Sequence, residues 1–153
     1  MSFDISDQYD KIYRYCYLRV KKREIAEDIT QETFLRYLER PQYHNIDKTL
    51  QLLYTIAGNL CADEFRKHPS SEISEDTVSD ENLEENVLTN LSLHQALNKL
   101  PDEEREIILL RYVNDVPINV ISGIYNISRF AVNRKIKKIL AALHNELGKE
   151  ELQ

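Results

Sequence analysis

Residues Pro117 to Leu143 read PINVISGIYNISRFAVNRKIKKILAAL, and the rest of the chain is organised around them. Two short apolar-periodic segments flank Tyr125-Asn126-Ile127-Ser128. Ile118, Ile121 and Ile124 or Tyr125 recur at helical spacing before the break. Val132, Ile136, Ile139, Leu140 and Leu143 do so after it. Ser128 suits the N-cap of the second segment, because its hydroxyl can accept a backbone N–H from the first turn. Asn126 tolerates the left-handed backbone that a tight turn between helices often needs. Ser122 and Gly123 are small, so two helices can approach closely there. The pattern is helix-turn-helix.

The charges indicate what this motif touches. Its second helix carries Arg129, Arg134, Lys135, Lys137 and Lys138, and no acidic residue occurs from Val116 to Asn145. A basic helix after a tight turn fits a recognition helix in the DNA major groove. The bland alternative is a solvated amphipathic helix that happens to be basic.

The chain has 153 residues, enough for one domain or two small ones. Glycine and proline number 3 and 4, and the long stretches show helical rather than alternating periodicity, so the expected class is all-α. No apolar run is long enough to span a membrane. The polar, acidic start MSFDISDQYD is not a signal peptide, and a cytoplasmic location is expected. Cys16 and Cys61 fall on apolar helix faces and read as reduced core residues. His44, His68, His94 and His144 are scattered over separate segments, so no metal site is expected. No phosphate-cradling loop, nucleophile elbow or acid–base pair is present, so neither an enzyme nor a cofactor is indicated.

The net charge of −6 sits poorly with DNA binding until its distribution is considered. Residues 1–67 hold 11 basic and 11 acidic side chains, and residues 99–153 hold 9 and 8. Residues 68–98 hold 7 acids and no Lys or Arg. The deficit therefore belongs to the middle, and both flanks keep basic faces.

Three divisions follow: a helical unit over 1–67, an acidic linker over 68–90 and a second helical unit over 91–153. In the first, a helix over Ser6–Lys22 has a stripe of Tyr9, Ile12, Tyr13, Cys16 and Val20. A second over Glu24–Glu39, stopped by Pro41, buries Ile25, Ile29, Phe34, Tyr37 and Leu38 and shows Glu27, Asp28, Gln31, Glu32 and Arg36. A polar loop, Arg40 to Asp47, leads to a third helix over Lys48–Lys67 with Leu53, Ile56, Ala57, Leu60, Cys61 and Phe65 inward. Residues 68–90 have a linker composition. In the second unit Leu93, Ala96, Leu97 and Leu100 form a stripe. Pro101 then breaks the chain, Asp102, Glu103 and Glu104 open the next helix, and Asn114-Asp115 turns into the helix-turn-helix. The residues from Gly148 to Gln153 are expected to fray.

Four separated motifs now carry a resemblance. Ala26-Glu27-Asp28-Ile29-Thr30-Gln31-Glu32-Thr33-Phe34-Leu35-Arg36 resembles the AEDxxQETFLR signature of bacterial extracytoplasmic-function (ECF) sigma factors. Leu53-Tyr54-Thr55-Ile56-Ala57-Gly58-Asn59-Leu60, with Asp63 and Arg66, resembles that family's LYxIAxNLxxDxxR segment. Leu97-Asn98-Lys99-Leu100-Pro101, Arg105 and Leu109-Leu110-Arg111-Tyr112 resemble the opening of its second domain, and the helix-turn-helix completes the order. The resemblance covers nearly the whole chain.

The resemblance implies two helical domains, like sigma regions 2 and 4, on a flexible linker. It implies that Asp28, Gln31, Glu32 and Phe34 belong to the segment docking on the clamp coiled coil of the largest subunit of core RNA polymerase. It places Tyr43, His44 and Asn45 where an unstacked base of the −10 element is captured, with Asn59, Asp63, Arg66 and Lys67 facing the promoter. It places Ser128, Arg129, Phe130, Asn133, Arg134, Lys135, Lys137 and Lys138 on the helix that reads the −35 element. Asn133 can pair bidentately with adenine, Arg with guanine or phosphate, and Phe130 can meet a thymine methyl. The family also implies an anti-sigma factor as partner.

Departures from the family pattern are specific. Leu52 replaces a usual tryptophan and Gly58 a frequent arginine. Phe130-Ala131 replaces Gly-Thr, Pro117 an N-cap serine, Asn119 and Val120 a pair of acids, and Asn126 the turn glycine. Two rival readings remain: a stand-alone helix-turn-helix regulator, and a decoy that binds polymerase or an anti-sigma factor without initiating.

Overall fold

The computed structural model describes residues 4–39, 45–68 and 95–151. Helices joined by turns account for them, with no strand among the described residues, as the helical periodicity implies. The chain divides into two compact units, one built on the first three helices, with which Gly123–Asn126 group, and one on the other helical residues from 95 onward. Residues 69–94, which hold most of the expected linker and Leu93, and residues 40–44, which hold Pro41, Tyr43 and His44, lie outside the described residues.

In the first unit α1 (Ile5–Val20), α2 (Arg23–Leu38) and α3 (Ile46–Lys67) each pack on the other two. The Asp4 carboxylate starts α1 by accepting the N–H groups of Ser6 at 3.0 Å and Asp7 at 3.4 Å. Asn45 Oδ1 starts α3 by accepting the Asp47 N–H at 2.8 Å. α1 stops at Val20, short of the expected Lys22. Lys21 turns left-handed at φ 60°, and its N–H closes the helix on the Tyr17 carbonyl at 2.8 Å.

The core of this unit contains Ile12, Tyr15 and Cys16 of α1, Ile29, Phe34 and Tyr37 of α2, and Leu53, Tyr54, Ile56, Ala57 and Cys61 of α3. Tyr15 was not on the expected stripe. Its ring meets Tyr54 edge-on at 5.2 Å, and its hydroxyl accepts from Arg19 at 3.2 Å, so a polar tip is satisfied while the ring is buried. Leu38 and Phe65 were expected inside and are exposed. The buried face of α2 runs through Ala26, Thr30, Thr33 and Tyr37, and one residue past Tyr37 points about 100° away. Phe65 lies in the last turn of α3, where the bundle ends.

Thr30 and Thr33 take core positions that an apolar count misses. Each hydroxyl donates to the carbonyl four residues earlier, Ala26 and Ile29, at 2.7 Å. The polar atoms are thereby paired within the helix, and the methyl groups are left to pack. Cys16 and Cys61 are free and buried, as expected of core thiols. A hydrogen bond with Cys61, and then burial, pushes the Cys16 thiol well above its ordinary range.

In the second unit a single helical turn at residues 95–98 precedes α4 (Asp102–Ile108), α5 (Ile118–Tyr125) and α6 (Arg129–Glu151). Arg105 ties the first turn to α4, with Nη1 donating to the carbonyls of Leu97, Asn98 and Leu100 at 3.5, 3.4 and 3.2 Å. Ala96, Leu100, Ile107, Leu110, Val116, Val120, Ile121, Val132, Ile136, Ile139 and Leu143 are buried. α4 packs on α6, and Lys135–Glu103 at 3.7 Å and Lys99–Glu146 add ion pairs at its edge.

α4 does not end cleanly. It widens into a π turn over Leu109–Val113, with the Asn114 N–H reaching the Leu109 carbonyl at 2.9 Å. Asp115 at φ 54° completes the reversal, which buries Asn114 and Val116 and leaves Tyr112 and Val113 exposed. The expected turn at Asn114-Asp115 is present; the π turn before it was not foreseen. Nor does α6 end at Gly148, since helix continues to Glu151.

Candidate nucleic-acid and protein interfaces

The turn between α5 and α6 is built as its residues dictate. Asn126 is left-handed at φ 57°. The Ile127 N–H donates to the Ser122 carbonyl at 3.1 Å, and the Ser122 hydroxyl donates back to the Ile127 carbonyl. Ser128 Oγ accepts the Ala131 N–H at 3.0 Å and caps α6. Its oxygen thus shapes the helix start, a role separate from any contact with a ligand.

Burial of Val132, Ile136 and Ile139 fixes the rotation of α6. Arg129, Phe130, Asn133, Arg134, Lys137 and Lys138 then face outward, all exposed. Phe130 is 77% exposed, so most of its ring is open to a partner. Lys135 departs from this group: it is half-buried and pairs with Glu103, so it fastens α6 to α4. The face combines guanidinium, amide, ammonium and an apolar ring with no acid before Glu146, a set able to bind phosphates and base edges.

On α3, Asn59, Asp63 and Arg66 recur at helical spacing on one side. Asn59, Arg66 and Lys67 are exposed, and Asp63 is partly so. Asp63 pairs with Arg66 within the helix, holding that guanidinium along the surface. Asn45 also had an expected ligand-facing role. Its Oδ1 accepts the N-cap bond, which fixes the side chain and leaves the amide NH₂ and the second lone pair of Oδ1 for a ligand. Gly58 has a packing role: a Cβ there would meet the Tyr15 hydroxyl at 3.0 Å and the Arg19 guanidinium at 3.3 Å. Arg19 also donates to the Gly58 carbonyl at 3.4 Å, so the missing side chain admits two groups from α1.

α2 presents a different surface. Asp28, Gln31, Leu35 and Leu38 follow one another at i, i+3, i+7 and i+10, all exposed. Leu35 and Leu38 are 56% and 55% exposed, an apolar strip beside a carboxylate and an amide. Glu32 lies at its edge, paired with Arg36 at 2.8 Å. Phe34, expected among the docking residues, points the other way: it is 8% exposed and stacks on Tyr9 at 5.5 Å. It supports the surface from beneath. Tyr9 donates to Glu27 at 3.1 Å, and burial followed by this hydrogen bond raises its pKa. Among the described residues, no group of three or more His, Cys, Asp or Glu could hold a metal ion, and no helix is long and apolar enough to cross a membrane.

The chain matches the family model for sigma-70 region 2 over residues 5–70 and that for sigma-70 region 4 over residues 90–143. It is 34% identical over 168 residues to the ECF RNA polymerase sigma factor SigW of Bacillus subtilis, covering 94% of this chain and 87% of that one. The chain belongs to the ECF sigma factors. The sigma factor is also 35% identical over 125 residues to BldN of Streptomyces coelicolor, covering 73% of this chain and 47% of BldN. With SigM of Bacillus subtilis it shares 28% over 144 residues, 88% of each chain. Its function is that of an ECF sigma factor, directing RNA polymerase in promoter recognition and transcription initiation.

Leu35 and Leu38 are the surface residues of this sigma factor that sequence reasoning missed. Their signal was available: they stand four and seven residues after Gln31, in line with Asp28.

Proposed function

We propose that the two units divide promoter recognition between them. The α2 strip, Asp28, Gln31, Leu35 and Leu38 with Glu32 at its edge, docks on the clamp coiled coil of the largest polymerase subunit. The outer side of α3, with Asn59, Asp63, Arg66 and Lys67, meets the −10 element together with the segment that carries Tyr43, His44 and Asn45. The α6 face, Arg129, Phe130, Asn133, Arg134, Lys137 and Lys138, reads the −35 element. Polymerase holds both units on one promoter, so modest contacts at each element add up through effective concentration.

The observation that carries this reading is the α2 strip. A stand-alone DNA-binding regulator has no use for two exposed leucines aligned with an acid and an amide. A macromolecular partner covers such a surface. An anti-sigma factor is the second partner we assign to it, in competition with polymerase. The protein is then a non-catalytic specificity subunit working in the cytoplasm, where polymerase is.

Run-off transcription tests the proposal. Core polymerase with this protein should transcribe from a promoter selected in vitro by the holoenzyme. Leu35→Ala with Leu38→Ala should abolish transcripts by weakening core binding, and Arg134→Ala should reduce them with core binding intact. A double leucine variant that transcribes normally would refute the assignment of the strip.

A further inference from the structure

The first unit carries a second concentration of positive charge, away from the α2 strip. Tyr15 touches Tyr54, and Arg19 touches Gly58, so a four-residue step along α1 matches a four-residue step along α3. The two helices therefore run parallel, and both end at the same end of the bundle. There the turn Lys21-Lys22-Arg23 joins α1 to α2, and Arg66 and Lys67 close α3. Lys21, Arg23, Arg66 and Lys67 are exposed, and Lys22 is partly so.

Neither the backbone at Lys21 nor the dipole of α2 favours the residues of this turn. Cations suit the C-termini of α1 and α3 through the helix dipole. Lys22 and Arg23, however, occupy the N-cap and first position of α2, where the dipole disfavours them, and no side chain caps that helix. Lys21 sits at φ 60°, a conformation that glycine adopts without strain. Three consecutive positions thus carry a cation where a cap, an acid or a glycine would fold better. Of the acids at this end, Asp63 is engaged by Arg66 and Glu64 lies 3.8 Å from His68, while Glu24 follows the turn.

We propose that Lys21, Lys22 and Arg23 form a phosphate-binding surface for promoter DNA, extending the surface of Arg66 and Lys67 onto the duplex beside the −10 element. This rests on the reading of α3 as the promoter-facing helix. Packed helices lie about 8–10 Å apart, and on the register of Arg19 with Gly58 the position of Arg66 is about six residues, roughly 9 Å, further along the axis than Lys21, so the two basic groups can meet successive phosphates of one duplex. The contacts carry charge but no base-reading geometry, so they strengthen binding to every promoter alike.

The test is a salt series of holoenzyme binding to promoter DNA, with core-polymerase affinity measured alongside. The triple variant Lys21→Gln, Lys22→Gln, Arg23→Gln should keep core affinity. It should weaken promoter binding about tenfold or more and flatten the salt slope by roughly 2 to 3, because each phosphate contact contributes about 0.9 to that slope. Lys21→Gly removes one charge while relieving the left-handed residue, and should flatten the slope by about 1. An unchanged slope in both variants would overturn the proposal. So would lost core affinity with an unchanged slope, which would make the turn a polymerase contact. A wild-type holoenzyme that binds core but no promoter would instead overturn the reading of α3 beneath it.

Discussion

Phe130→Ala separates recognition from folding sharply. A phenylalanine side chain can bury about 150–250 Å², and 77% of this one is exposed. Roughly 150 Å² is thus available to a partner, worth at most about 4 kcal/mol at 25 cal/mol per Å². Ordering and desolvation at an interface consume much of that, leaving about 1–3 kcal/mol, or a roughly 5- to 150-fold loss of promoter affinity. The part buried by folding is roughly 50 Å², so the variant should lose no more than about 1 kcal/mol of stability. Urea unfolding reads the second quantity, and anisotropy of labelled promoter DNA with holoenzyme reads the first. Replacing thymine by uracil in the −35 element removes the methyl group. That change should weaken the wild type and leave Phe130→Ala largely indifferent if the ring packs on a methyl. Equal affinity of wild type and variant on every duplex would refute the placing of Phe130 against DNA.

Four further outcomes follow. Leu53→Ala, at a fully buried position of α3, should cost about 3–5 kcal/mol in urea unfolding, whereas Leu35→Ala should cost less than about 1 kcal/mol. Lys21→Gly should raise stability by up to about 1 kcal/mol and the melting temperature by a few degrees. The raised Cys16 thiol stays protonated when the unfolded thiol ionises, so its contribution is complete below pH of about 8.5 and falls by about 1.4 kcal/mol per pH unit above it. Urea unfolding at several pH values should show that slope, and Cys16→Ala should lose it. Gly58→Ala should come out near neutral in the same assay, because a propensity gain of about 1 kcal/mol is offset by the crowding of Tyr15 and Arg19.

The helices, their order and the helix-turn-helix were legible because long periodic segments and capping residues act locally. Asn126 and Ser128 do what their side chains favour, at φ 57° and as an N-cap. What escaped depends on neighbours. Tyr15 is a core residue only because Tyr54 and Arg19 meet it, and Thr30 and Thr33 are core residues only because their hydroxyls turn back on their own helix. Leu38 was counted inside with the other apolar residues of α2, but the buried face ends at Tyr37, one position earlier. The residues expected to face outward on α6 are exposed except for Lys135, which is half-buried and pairs with Glu103 of α4. On α2 the apolar pattern placed Phe34 inside, where it lies, while the resemblance grouped it with the docking residues; Leu38 was counted inside by type and is exposed.

The most direct test of the account is a binding titration of the folded protein with core RNA polymerase, alongside the triple variant Asp28→Ala, Gln31→Ala, Leu35→Ala. The account predicts tight binding by the wild type and a loss of at least about a hundredfold in the variant, with the fold intact by circular dichroism, because central, well-packed contacts carry most of an interface's energy. Failure of the wild type to bind core polymerase, or equal binding by the variant, would contradict it.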